Sequence, residues 1–137
     1  MKKLLIIISL AFITFGVRAQ NADTLMYAKE YVKAAEAYQL RLKEQPDNVV
    51  TLRRLGFCYL NIQNTDALAE NYFQKALKLD PKDQASNYYL GLMSKKALAN
   101  NLTPAQRKAI TIEAKTYLQN AAAAGSEDAV KELESFK

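Results

Sequence analysis

The residues first to be weighed for chemistry in this chain are one thiol, Cys58, and scattered carboxylates, because its 137 residues include no histidine. That absence removes the usual general base, the commonest zinc ligand and both the Ser-His-Asp and Cys-His nucleophile systems. Cys58 lies in Gly56-Phe57-Cys58-Tyr59-Leu60. Apolar neighbours raise a thiol's pKa and make it inert, so a small buried side chain is expected there. A single cysteine can form no internal disulfide. The carboxylate pairs Asp80/Asp83 and Glu127/Asp128 fall at expected helix ends, where they cap the helix and complement its dipole rather than exchange protons with a substrate. The four glycines are scattered, and neither Gly-x-Gly-x-x-Gly nor Gly-Lys-Thr occurs, so no phosphate loop is formed. Asn101-Leu102-Thr103 fits an N-glycosylation acceptor, a triplet too frequent to carry weight alone. No catalytic residue, cofactor or metal is expected, and the chain reads as something other than an enzyme.

The elements that carry these residues repeat. Gln45-Pro46-Asp47-Asn48 and Asp80-Pro81-Lys82-Asp83 place their prolines 35 residues apart, and the pairs Leu55-Gly56 and Leu90-Gly91 share that offset of 35. Between the landmarks, Leu52, Leu55, Tyr59 and Leu60, and then Leu68, Tyr72, Ala76 and Leu79, recur at helical spacings of three and four. Asn61-Ile62-Gln63-Asn64-Thr65 interrupts them, and Asn64 or Thr65 can cap the next helix. Pro81 ends that helix and Asp83 can cap another. Each period thus holds two antiparallel helices, and neither can hide its apolar stripe without stacked neighbours.

On these residues the chain resembles the tetratricopeptide-repeat family. Leu52, Leu55-Gly56 and Tyr59, followed by Ala69, Phe73, Ala76 and Pro81, match the family pattern, most closely over Tyr72 to Pro81. The resemblance implies an all-α fold: antiparallel helix pairs stacked as a short right-handed α-α superhelix. Gly56 and Ala69 would lack bulk where paired helices come closest, with Tyr59 and Phe73 filling the space beside them.

The flanking repeats are looser. A partial repeat over about 21–46 carries Tyr31, Ala34, Tyr38 and Pro46, with Arg41 where a small Ala is usual. No Gly or Pro separates Ala22 from Gln45, so one long helix or two would both fit. The best repeat spans about 47–81. An extended one covers about 82–124, where Asn87 and Ser94 replace large residues. Thr103-Pro104-Ala105-Gln106 opens its second helix with a capping box, and Ala114, Leu118 and Ala121 restore the Ala-large-Ala spacing. Tyr117 to Gly125 is similar to the alanine-rich turn of a sister class of helical-pair repeats, and Gly125 suits a left-handed cap. A capping helix over about 126–136 is then expected to start at Ser126 and run through Val130 and Leu133.

The N-terminus differs in kind. Lys2 and Lys3 precede an apolar run, and Val17-Arg18-Ala19 puts small residues where a signal peptidase reads, so residues 1–19 read as a signal peptide cut after Ala19. The 14 residues from Leu4 to Val17 are fewer than the ~20 a spanning helix needs, so no stable membrane span is expected after cleavage. Removing Lys2, Lys3 and Arg18 leaves 16 of the 19 bases against 14 acids, a net charge near +2 in place of +5. Bases and acids interleave, and no basic stripe suggests nucleic acid. Export to the periplasm or cell exterior is expected.

The resemblance implies a protein-binding or scaffold module whose concave groove is lined by the first helix of each pair. Transferred to these repeats, the groove comprises Val50, Arg53, Phe57 and Leu60, then Ala85, Tyr88, Leu92 and Lys95, each set sharing one helical side. Such a groove would be largely apolar with cationic ends at Arg53 and Lys95, suited to an amphipathic helix or an extended hydrophobic peptide. Equally, the protein's own first helix or tail could cover it, and a buried Arg53 would then need Asp23 or Glu30 as partner. The other readings are a self-associating subunit of an envelope assembly and, remotely, a small enzyme.

Overall fold

The structure, a computed structural model, describes residues 22–136; the expected signal peptide and its expected cleavage point lie outside them. All regular elements among the described residues are helices: α1 (22–27), α2 (Tyr31–Glu44), α3 (Val49–Leu60), α4 (Asp66–Leu79), α5 (Gln84–Ala97), α6 (Pro104–Ala123) and α7 (Glu127–Glu134). None is long and apolar enough to cross a membrane. The chain divides within α4 into two units, one to Ala69 and one from Glu70.

In the first unit, the segment between Ala22 and Gln45 is two helices rather than one. Lys29 takes a left-handed backbone (φ 62°), its N–H bonds to the Met26 carbonyl at 3.0 Å, and the Glu30 N–H reaches back to Leu25 at 2.9 Å. This pair of bonds is the terminal turn usually given to glycine. A lysine adopts it at a cost, which is why the break carries no Gly or Pro signal. Tertiary contacts offset that cost. Asp23 on α1 accepts hydrogen bonds from the Tyr38 hydroxyl of α2 and from Arg54 Nη1 of α3 at 2.7 Å, with Arg41 Nη1 at 3.9 Å. Arg41, in the place of the usual Ala, also lies 5.3 Å from the centre of the Tyr38 ring. The acid therefore serves Arg54 and Arg41. Burial first, and then the bond to Asp23, push the Tyr38 hydroxyl well above the ordinary phenol pKa. Asp23→Asn should lower stability by about 1–2 kcal/mol, the range for a partly exposed charged hydrogen-bond centre. Urea melts of Asp23→Asn and Tyr38→Phe, alone and combined, should show less than additive losses.

Helix α3 starts at Asn48, whose side chain accepts from the Thr51 N–H at 2.8 Å, and it buries Thr51, Leu52, Leu55, Gly56 and Cys58. Asn64 turns the chain with φ 61°, and the Thr65 hydroxyl lies 2.5 Å from the Tyr59 carbonyl, closing the end of α3. Burial pushes the Cys58 thiol up to about 11. The folded thiol keeps its proton where an unfolded one has lost it, so this contribution to stability is complete below the ordinary thiol pKa, near 9, and disappears as pH climbs toward 11. Between pH ~8.5 and ~10.5 the parent should lose about 2 kcal/mol more than Cys58→Ala, measured by chemical denaturation at each pH.

In α4, simple periodicity picks Ala76 correctly but also two exposed leucines. Leu68 and Leu79 are 47% and 45% exposed, whereas Ala69, Phe73 and Ala76 are fully buried. Counting large apolar residues favours leucines, but the buried face is the one whose alanines permit close approach. The family motif residues identify that face.

In the second unit, Asp83 caps α5 by accepting from the Ser86 N–H at 2.8 Å, and Thr103 and Gln106 form a reciprocal capping box on α6. Phe73 of α4 stacks on Tyr89 of α5 with ring centres 5.3 Å apart. Asn87, fully buried, donates its Nδ2 protons to the Pro81 and Asp83 carbonyls, each at 3.0 Å, and accepts from Asn120 Nδ2 at 3.4 Å. A large apolar residue there would leave those turn carbonyls without this donor, which accounts for the departure from the expected pattern. Helix α6 lays Leu118 across Gly91. Its end at Ala123 is followed by a turn at Gly125 (φ 94°), with the Gly125 N–H on the Ala122 carbonyl and the Ser126 N–H on the Ala121 carbonyl, both at 2.9 Å. Ser126 then caps α7.

Candidate functional site

The first helices of the two full pairs are α3 and α5, and the candidate residues fall on them as two separate strips. On α3, Val50 stands open at 41% exposure near the helix start, while Arg53, Phe57 and Leu60 are half-buried. The spacing of four and three places the last three along one side of the helix. Phe57 meets the edge of Tyr31 from α2, ring centres 6.0 Å apart and planes at 75°. That contact steadies the ring while leaving part of it accessible.

On α5, Ala85, Tyr88, Leu92 and Lys95 form the equivalent strip, all half-buried. Two of the four are engaged by the C-terminal segment. Tyr88 packs with Leu133 and Phe136 against Leu118, Ala121 and Ala129. Burial raises its hydroxyl pKa, and the nearby Asp128 and Glu132 raise it further. Lys95 donates to Glu132 Oε2 at 2.5 Å and to Ser135 Oγ at 2.7 Å, and its ammonium sits 5.6 Å from the centre of the Phe136 ring. Lys115 approaches the same ring at 5.5 Å. The cationic end anticipated at Lys95 is therefore already matched by an acid of α7.

The last helix does run through Val130 and Leu133, but the two face differently. Val130 is 49% exposed, and the packed side is Ala129, Leu133 and Phe136. Their spacing of four and three was available as a signal, but Ala129 and a phenylalanine beyond the helix end carry little weight in a count of apolar residues. Asp23 is expected from sequence only as a candidate partner for Arg53; nothing local to it marks the bonds it accepts from Tyr38 and Arg54 on two later helices. Among the described residues, no three His, Cys, Asp or Glu side chains gather as a metal site would require.

No family model and no curated protein matches the chain. Among solved structures, the chain is similar to the Sgt2 TPR domain from Aspergillus fumigatus, with a TM-score of 0.68 and 22% identity, covering 88% of this chain and 74% of that one. The fold is a tetratricopeptide-repeat fold. At that identity the likeness concerns the fold alone. In the tetratricopeptide frame, Gly91 occupies the position of Gly56 one period on, and Leu118 supplies the bulk that Phe73 supplies in the preceding repeat.

Proposed function

We propose that this chain is an exported tetratricopeptide-type binding module that holds a protein or peptide partner through side chains of α3 and α5. The observation carrying this reading is the pair of half-buried strips, Arg53, Phe57 and Leu60 on α3 and Ala85, Tyr88, Leu92 and Lys95 on α5. Both occupy the first helix of a pair, and both mix apolar or aromatic surface with one base. On either strip taken by itself, a partner helix or extended segment can bury the ring and the leucine while an acid meets the base. Export is supported by the Lys2/Lys3 head, the short apolar run and Val17-x-Ala19. Fold likeness alone does not specify a ligand, so the site itself must be tested.

A photo-crosslinking amino acid placed at Val50 or Leu92 should trap a discrete protein species in the envelope fraction. The same group at Ile112, exposed on α6, should trap none. Equal labelling from all three positions, or none, would reject α3 and α5 as the binding helices. N-terminal sequencing of the trapped chain should begin at Gln20; a start at Met1 would reject export by cleavage.

A further inference from the structure

The segment after Gly125 has the character of a ligand that happens to be tethered. Helix α7 has eight residues, and an isolated helix shorter than ~12 is marginal in water. Only Ala129 of those eight is buried, so the apolar contact holding the helix is a narrow seam of Ala129, Leu133 and Phe136 on Tyr88, Leu118 and Ala121. Its flank is electrostatic. The bridge from Lys95 to Glu132 joins side chains 33% and 31% exposed, a pair that water can solvate at little cost when the two separate. Helix α7 is acidic, with Glu127, Asp128, Glu132 and Glu134 against Lys131, while the receiving face offers Lys95 and Lys115 beside Phe136. The Gly125 turn lies at the base of the segment.

We propose that α7 with Phe136 is a detachable occupant of the α5–α6 face. The same face takes, from a partner, an acidic amphipathic helix carrying a small residue, a leucine and an aromatic at the spacing of Ala129, Leu133 and Phe136. This rests on the reading of the chain as a binding module, and it adds both the partner's chemistry and the way access is controlled. Tethering gives α7 a high effective concentration, so a free competitor sees the face only in the fraction of molecules where α7 is displaced. Weakening the tethered copy must therefore raise the apparent affinity for a free one.

The test uses a fluorescent synthetic peptide with the sequence of residues 126–137, titrated by anisotropy against the full protein and against Leu133→Ala/Phe136→Ala. The variant should bind at least about tenfold more tightly than the parent, because more of its faces are vacant. Adding Lys95→Glu to the variant should abolish the gain, as should a peptide lacking its phenylalanine. Equal affinity of parent and variant, or no binding to a folded variant, would overturn the proposal. Hydrogen exchange on the unaltered protein decides the matter should the variant unfold. Amides of α7 should exchange at least about tenfold faster than those in the middle of α5 and α6, through local opening. Equal protection would make α7 an integral part of the core and overturn the proposal. A peptide that fails to bind while crosslinkers at Val50 still trap a partner refutes the tethered occupant and leaves the binding module standing.

Discussion

Phe73→Ala should be the most damaging truncation in the second unit, lowering stability by about 3–5 kcal/mol. Phe73 is fully buried and is among the largest side chains that are. Its ring stacks on Tyr89 at 5.3 Å with an interplanar angle of 20°, and Ala69 and Ala76, one turn to either side, are fully buried too. Truncation removes the transfer free energy of the ring and leaves a hole that small neighbours cannot fill by rotating. Phe73→Leu keeps most of the volume and should cost less than half as much. Guanidinium denaturation monitored by circular dichroism measures both variants. A loss below ~1 kcal/mol for Phe73→Ala would mean that α4 repacks with its leucines inward, contrary to the face described above.

Gly91→Leu should destabilise by about 3 kcal/mol through overpacking. A Cβ at residue 91 would lie 2.7 Å from Leu118 Cγ, 2.8 Å from Leu118 Cδ2 and 3.3 Å from the Leu118 backbone nitrogen. Leu118 is fully buried and its Cγ sits close to its own backbone, so it cannot swing aside as the tip of a long surface chain would. Even Gly91→Ala should be unfavourable, by about 1–2 kcal/mol, although alanine gains about 1 kcal/mol over glycine in helix propensity. The double variant Gly91→Ala/Leu118→Ala gives the sharper measurement. Leu118→Ala alone opens a cavity at a cost of about 2–5 kcal/mol. The methyl at residue 91 then enters that space, so the pair should lose less than the sum of the singles by at least ~1 kcal/mol. Strict additivity would mean that α5 and α6 do not approach at this point.

What the sequence determined by itself is the set of features whose cause lies within a few residues of their effect. Asp83, Thr103 and Ser126 were legible as helix caps because a capping side chain bonds to a backbone N–H three residues away. Gly125 was legible as a left-handed stop for the same local reason. The 35-residue period set the helix pairs, since a repeated small residue implies a repeated close approach. The strips on α3 and α5 followed from spacing along single helices.

Tertiary structure alone decided the rest. The break at Lys29 has no glycine to announce it; it follows from Asp23 meeting Tyr38, Arg54 and Arg41, partners 15 or more residues away in sequence. The buried face of α4 was chosen by how closely small residues let helices pack, so the alanines went inside while Leu68 and Leu79 stayed out. Asn87 proved to be a donor to two turn carbonyls, a role visible only once the turn before α5 is folded back over it. The covering of Tyr88 and Lys95 by α7 depends on a tail that returns across some 40 residues of chain. Periodicity reports which residues share a side of one helix, and only the folded chain determines what that side meets.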